Sequence, residues 1–192
     1  LGASIVGVFS NRADAFGLDR ARRAGIPVAV VATEGDDRPT YDRRLADVVA
    51  KSDPDLVVLA GWMRILTAEF LGHFRVVNLH PAKPGLFPGT HAIERAFAAW
   101  VAGEIDESGA MVHWVPDEGV DSGPVIQWTT VPFEPADTLE AFEARMHAAE
   151  YRLLVSAVGS VLDSDPDSGP PGVDDPPSLS TTISPRRPVS HD

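Results

Sequence analysis

The chain has 192 residues, 44% hydrophobic and 23% charged, which is enough for one folded domain with one core. The absence of cysteine excludes disulfides and thiolate chemistry, and the net charge of −12 argues against a nucleic-acid surface. No apolar run approaches the roughly 20 residues that cross a bilayer and no basic leader precedes one, so we expect a cytoplasmic protein with small-molecule partners and no membrane contact.

The first half of the chain alternates apolar runs with amphipathic segments. Strands are predicted where β-branched and apolar residues run together, and helices where apolar residues recur every three or four positions. The predicted order is strand 4–9, helix 11–25, strand 28–32, helix 41–52, strand 56–59, helix 67–74 and strand 75–79. This alternation is typical of an α/β fold, here a Rossmann-like, doubly wound and mostly parallel sheet.

The second half of the chain predicts a hairpin, a long helix and a tail. A loop rich in Pro and Gly, 81–89, precedes a predicted helix at 91–101. Strands are predicted at 110–115 and 125–131, joined by the turn-rich segment 116–124, and a long helix at 138–162. From residue 163 onward Pro, Ser, Asp and Gly dominate, so burial cannot offset the entropy of ordering the chain. We therefore expect one domain over 1–162 and a disordered tail over 163–192.

Three polar residues are candidates for chemistry. Asn78 and His80 stand at the carboxyl end of a predicted strand, which is where open α/β sheets bind their ligands. Because side chains alternate along a strand, both project to the same side, about 6–7 Å apart. Asp121 lies in the turn-rich connection of the hairpin, and a carboxylate beside a histidine raises the pKa of that histidine. Each residue alone also has an ordinary structural explanation, as a turn former or a buried polar group.

Four segments of the sequence, taken in order, resemble the phosphoribosylglycinamide formyltransferase family of purine biosynthesis. They are residues 8–18, 60–66, 78–81 and 121–124, within a match that runs from about residue 4 to residue 162. The resemblance implies the Rossmann-like formyltransferase fold. It also implies transfer of a formyl group from 10-formyltetrahydrofolate, used as a co-substrate, to the amino group of glycinamide ribonucleotide, with no metal.

The same resemblance implies roles for individual residues. By this resemblance, His80 is the acid that protonates the tetrahedral intermediate. Asn78 is a donor to the oxyanion that forms on the formyl group of the folate. Asp121 is the carboxylate that raises the pKa of His80. Arg38 matches an arginine that contacts the folate, and Glu150 matches a carboxylate that holds the ribose hydroxyls. The wall that binds the folate, partly through backbone groups, is matched by Met63, Arg64, Ile65 and Leu66. Surface charge or core packing is the ordinary alternative for each of these residues.

The sequence departs from the family pattern in three places. The family begins with a strand and a phosphate-binding loop that have no counterpart before Leu1, so we expect an N-terminally truncated form that binds glycinamide ribonucleotide weakly or not at all. Lys83 stands where the family has an apolar residue, and one extra residue precedes Asp121. His113 and His147 receive no role.

Other functions remain open at this point. A formyltetrahydrofolate hydrolase would use the same three side chains, but that family continues His-His-Ser where this chain has His80-Pro81-Ala82. A methionyl-tRNA formyltransferase would carry a further basic domain for its tRNA. A non-catalytic, Rossmann-like binding module or remnant is the alternative from a different class.

Overall fold

Residues 2–164 are described by a computed structural model, and they form six strands and five α-helices. The strands are β1 (Val8–Ser10), β2 (Val28–Val30), β3 (Val57–Ala60), β4 (Val76–His80), β5 (Glu107–Trp114) and β6 (Val125–Pro132). The helices are α1 (Phe16–Arg23), α2 (Arg38–Val49), α3 (Ala68–Leu71), α4 (Ala92–Val101) and α5 (Leu139–Asp163), and one 3-10 turn (Ala50–Ser52) follows α2. The predicted disordered tail starts at residue 163, whereas α5 includes Asp163, and the rest of the predicted tail, from residue 165 onward, lies outside the described residues.

Each predicted helix and strand has a counterpart, but several boundaries differ. The clearest difference is at α1, which begins at Phe16 and not near residue 11. The segment before it closes a turn, because the Ala15 N–H donates to the Arg12 carbonyl and Arg12 pairs with Asp14 at 2.8 Å. The Ser10 hydroxyl also accepts from the Arg12 N–H at 3.1 Å, and such a side chain-to-backbone bond competes with helix formation at the predicted start.

The strands form two sheets with mixed directions. β1 and β2 pair in parallel, and the second sheet has the order β3-β4-β5-β6. Within it β3 and β4 are parallel, while β4-β5 and β5-β6 are antiparallel, so the predicted hairpin is present. The predicted α/β fold is confirmed, with an antiparallel half added to its parallel half. Within residues 2–164, β1 and β3 each pair on one side only.

Helix α2 connects the two sheets through a shared core. Tyr41 and Leu45 of this helix are buried, and Phe9 of β1 packs against the same cluster as Val57 and Leu59 of β3. One apolar helix face therefore holds strands of both sheets in one folded unit.

Strand β4 is covered on both faces. Its successive residues point to opposite sides, so Val76 lies in the core with Tyr41 and Phe70, whereas Val77 lies in the core with Phe142 of α5. Burial on both faces explains why β4 reads as a continuous apolar run. No helix within residues 2–164 has the length and apolar composition required to cross a membrane.

The packing of α5 against the sheet gives a test of the fold. Phe142 is fully buried and its ring stacks on Phe133 at a centroid distance of 4.2 Å. We expect Phe142→Ala to lower the free energy of unfolding by about 3–5 kcal/mol, because it leaves a cavity in the core. Phe16→Ala is the control, since Phe16 is 68% exposed at the start of α1. Denaturant unfolding of both variants tests this, and equal losses of stability would contradict the position of α5.

Candidate active site

Two of the predicted site residues belong to β4 itself. Asn78 lies opposite His113 of β5, and His80 lies opposite Met111. The two β4 side chains project to the same side, and His80 is only 4% exposed. A strand packed on both faces thus fixes the positions of an amide and an imidazole.

Asp121 joins these two residues from the turn between β5 and β6. Its Oδ2 lies 3.3 Å from His80 Nδ1 and accepts a hydrogen bond from the Gly89 N–H at 2.7 Å. Its Oδ1 accepts a hydrogen bond from Asn78 Nδ2 at 3.0 Å. The structure therefore brings Asn78, His80 and Asp121 together, and the extra residue before Asp121 does not prevent the contact.

The backbone of Asp121 is in the left-handed region, with a φ of 50°. Such a conformation costs about 1–3 kcal/mol in a residue with a side chain, although Asp tolerates it better than most residues. Strain of this kind persists where surrounding contacts over-determine the geometry, as the bonds from Asn78 and Gly89 do here.

The pKa of Asp121 is set by opposing effects. Burial acts to raise the pKa, but the adjacent His113 ring, the Gly89 N–H and the charge of His80 together lower it below its ordinary value. Asp121 is therefore ionised at neutral pH and acts as a hydrogen-bond acceptor.

The pKa of His80 shifts downward. Burial lowers it below its ordinary value, and Asp121 and the Phe87 carbonyl act in the opposite direction without reversing the shift. Asp121 thus acts in the direction that the sequence predicted, but burial outweighs its effect, which the sequence did not anticipate. The reason is that burial of the imidazole could not be read from the sequence.

Both ring nitrogens of His80 face hydrogen-bond acceptors. Nδ1 faces Asp121, while Nε2 lies 3.1 Å from the Phe87 carbonyl oxygen. A carbonyl can only accept, so Nε2 carries a proton, and the proton that His80 can exchange is the one on Nδ1. The loop 81–89 thus supplies the backbone groups that surround the pair, Phe87 C=O and Gly89 N–H.

His113 belongs to the site and was not assigned from the sequence. Its Nδ1 lies 2.8 Å from the Trp114 carbonyl oxygen, so it donates there. In the neutral ring Nε2 then accepts from Asn78 Nδ2 at 3.2 Å, and a proton on Nε2 would face Asp121 Oδ1 at 3.5 Å. The only signal for His113 in the sequence is a histidine inside an apolar strand shortly before Asp121.

The four residues of the predicted folate wall, 63–66, point partly to solvent and partly into the core. Met63 and Ile65 are 73% and 44% exposed, whereas Leu66 is buried. The guanidinium of Arg64 turns inward and lies 4.5 Å from the centroid of the Tyr41 ring. The wall therefore presents Met63 and Ile65 outward, and the side chain of Arg64 contributes to packing.

Arg38 connects this wall to the turn that carries Asp121. Its Nε donates to the Ile65 carbonyl at 3.3 Å, and its Nη2 pairs with Glu118 Oε2 at 2.7 Å. Both Arg38 and Glu118 are about half exposed, so the pair is accessible to a ligand.

Two cavities border the turn between β5 and β6. The larger, of about 560 Å³, lies between α3 and the residues Pro116, Asp117, Glu118 and Gly119. The smaller, of about 300 Å³, lies between the loop residues 84–88 and the segment that contains Asp121. The turn thus separates a cavity next to α3 from one that reaches the Asp121 carboxylate.

Two further residues singled out in the sequence, Glu150 and Lys83, lie apart from these contacts. Glu150 on α5 is buried, burial raises its pKa, and its nearest charged partner is His147 at 3.9 Å. In the part of the chain that the structure describes, no hydrogen bond joins Glu150 to Asn78, His80 or Asp121. Lys83 pairs with Glu107 and lies 5.4 Å from the Trp128 ring centroid, which accommodates this departure from the family pattern.

Fold and site together define a class of protein. Amide, imidazole and carboxylate groups meet at the carboxyl end of a central strand, and they can donate to a developing oxyanion and move a proton, which is the chemistry of acyl transfer. A family model described as formyl transferase matches residues 1–158. The chain belongs to the formyl transferase family.

Within this family the chain is similar to phosphoribosylglycinamide formyltransferases, which confirms the resemblance seen in the sequence. That of Schizosaccharomyces pombe is 44% identical over 173 residues, 83% of this chain and 83% of the relative. That of Dictyostelium discoideum is 42% identical over 167 residues, 79% of this chain and 81% of the relative. A solved structure of the enzyme from Streptococcus pneumoniae TIGR4 has a TM-score of 0.75 at 40% identity, covering 81% of this chain and 85% of that chain.

The contact between Asp121 and His80 predicts how the imidazole titrates. We expect Asp121→Asn to lower the pKa of His80 further, because the negative charge that opposes the effect of burial is lost. An NMR titration of the His80 ring measures this. Asp55→Asn, an exposed substitution that removes the same charge, should leave the titration unchanged. An unchanged or raised pKa of His80 in Asp121→Asn would contradict the geometry.

Proposed function

We propose that this protein transfers the formyl group of 10-formyltetrahydrofolate to the amino group of glycinamide ribonucleotide in de novo purine (IMP) biosynthesis. The observation that carries the proposal is the meeting of Asn78, His80 and Asp121 beside a cavity. Similarity over 83% of the chain to a phosphoribosylglycinamide formyltransferase supports the substrate pair. A cytoplasmic location is consistent with this role, and the net charge of −12 favours small-molecule substrates over nucleic acid.

The reaction requires the site to stabilise negative charge and to move protons. The amine attacks the formyl carbon, negative charge grows on the formyl oxygen, and the bond from that carbon to the folate nitrogen then breaks. One proton must leave the amine and one must reach the departing folate nitrogen. The site therefore needs donors for the oxyanion and a group that both gives and takes a proton.

His80 meets the proton requirement in this proposal. Its Nε2 proton is held by the Phe87 carbonyl, which fixes the ring, and its Nδ1 faces Asp121. The imidazolium form of His80, which carries the exchangeable proton on Nδ1, protonates the developing oxyanion, and Nδ1 takes this proton back when the C=O bond re-forms and the bond to the folate nitrogen breaks. Asp121 stabilises the imidazolium form and orients the ring, and it can hold a water that carries the proton of the amine to the folate nitrogen.

Asn78 supplies the donor to the oxyanion. One of its N–H groups is bonded to the charged Asp121 at 3.0 Å and keeps the amide in place. The other faces His113 Nε2 at the longer distance of 3.2 Å, and it is the one that turns to the formyl oxygen. A preorganised donor of this kind can be worth roughly 3–4 kcal/mol of barrier.

The folate lies along the exposed side of the wall. Met63 and Ile65 offer apolar surface to its ring system, and the cavity of about 560 Å³ between α3 and the turn that carries Glu118 offers further room for the folate. The carboxylate of its glutamate moiety pairs with Arg38, which now pairs with Glu118. Glu150 accepts hydrogen bonds from the ribose hydroxyls of the nucleotide.

The ion pair between Arg38 and Glu118 leads to a specific prediction. Because the folate carboxylate has to replace Glu118, Glu118→Gln should lower the KM for a glutamate-bearing formyl donor by about 3-fold to 10-fold. A pteroate donor that lacks glutamate should show no such change. The exposed control Glu104→Gln should leave both values unaltered. Equal effects on the two donors would show that Glu118 does not compete with the folate.

The proposed reaction is tested by its dependence on the nucleotide. Formyl transfer and free formate are followed from 10-formyltetrahydrofolate with and without glycinamide ribonucleotide, in the 192-residue chain and in an N-terminally extended form. We expect tetrahydrofolate release that requires the nucleotide and is matched by its formylation. Formate release without the nucleotide would favour the hydrolase. Failure of both forms to bind a folate analogue in calorimetry would favour a non-catalytic module.

A further inference from the structure

Two backbone groups of the loop 81–89 contact the reacting pair. The Phe87 carbonyl accepts from His80 Nε2, and the Gly89 N–H donates to Asp121 Oδ2. Both residues have positive φ angles, 47° for Phe87 and 81° for Gly89. A non-glycine residue in this region is strained, so a contact must hold the path of the loop.

Arg95, in the first turns of α4, provides that contact. Its Nη2 donates to the Pro88 carbonyl at 2.6 Å, and its guanidinium lies 5.8 Å from the centroid of the Phe87 ring. Pro88 stands between the two residues whose backbone groups meet His80 and Asp121. The Arg95 side chain thus contacts the loop at Phe87 and at Pro88, between the two backbone groups that meet His80 and Asp121.

We propose that Arg95 is a positioning residue for formyl transfer, which holds the Phe87 carbonyl on His80 and the Gly89 N–H on Asp121. The inference rests on the proposed function. Arg95 has no hydrogen bond to either reacting side chain among residues 2–164, so it acts through the backbone that it orders. The planar guanidinium suits this role because it stacks on the ring while it bonds to the carbonyl.

Four groups around His80 decide how Arg95 affects its titration. The Phe87 carbonyl from the loop and Asp121 from the β5-β6 turn raise the pKa of His80, and burial, His113 of β5 and the charge of Arg95 lower it. Loss of the positive charge alone would therefore raise the pKa of His80. Loss of the loop contact alone would lower it, because the carbonyl would no longer stabilise the charged ring. The two roles of Arg95 thus predict shifts of opposite sign.

Two substitutions separate these roles. Arg95→Lys keeps the charge but cannot stack and bond with a planar fork, whereas Arg95→Met removes both. Arg22→Met is the control, since Arg22 forms an exposed ion pair with Asp19 on α1. NMR titration of His80 and the pH profile of kcat are measured for all three, with thermal unfolding to verify that each folds.

For Arg95→Lys we expect the pKa of His80 to fall by about 0.5 to 1 and kcat to fall about 10-fold, with the KM for the formyl donor unchanged. Arg22→Met should match the parent. An unaltered Arg95→Lys together with a raised pKa in Arg95→Met would overturn the proposal in favour of a charge effect. No shift in either variant would reduce Arg95 to a structural role. The titration does not depend on turnover, so absence of formyl transfer in the parent would count against the proposed function alone.

Discussion

The site depends on one carboxylate held in an unfavourable backbone conformation. Asp121 has a φ of 50°, and its two oxygens receive hydrogen bonds from Asn78 and Gly89 and contact His80. A hydrogen bond to a charged group contributes about 1.5–3 kcal/mol, so two of them offset a strain of about 1–3 kcal/mol. The carboxylate in turn orders Asn78 on the strand and Gly89 on the loop. Geometry at three separate elements therefore depends on a single charged side chain.

That carboxylate can organise the site because β4 is packed on both faces. Val76 and Val77 are buried in different cores on opposite faces of the strand, which fixes the side-chain directions of Asn78 and His80, two and four positions after Val76. The other contacts of the site come from two connections, the loop 81–89 and the turn between β5 and β6. Rigid strand positions combined with contacts from two connections are a common way to build a precise site.

Much of this arrangement follows from the sequence, and the rest does not, for identifiable reasons. The period of two along a strand puts Asn78 and His80 on one side, and the apolar alternation of the chain predicts the α/β fold. The role of His113 depends on the pairing register of β4 and β5, which single-sequence patterns do not fix. The groups from Phe87 and Gly89 are main-chain atoms, which every residue has, so no side-chain pattern identifies them. Arg64 turns inward to Tyr41 because of tertiary packing, while its neighbours Met63 and Ile65 stay outside.

The net pKa of His80 illustrates why burial and charge must be considered together. Asp121 alone would hold the ring as imidazolium, and burial alone would hold it neutral. An acid that must give a proton to an oxyanion and recover one within a turnover works best when neither form is locked. The two opposing effects, together with the Phe87 carbonyl that fixes Nε2, leave Nδ1 as the atom at which the protonation state changes. Burial of His80 thus counteracts the carboxylate that orients the ring, which suits the acid role proposed for this residue.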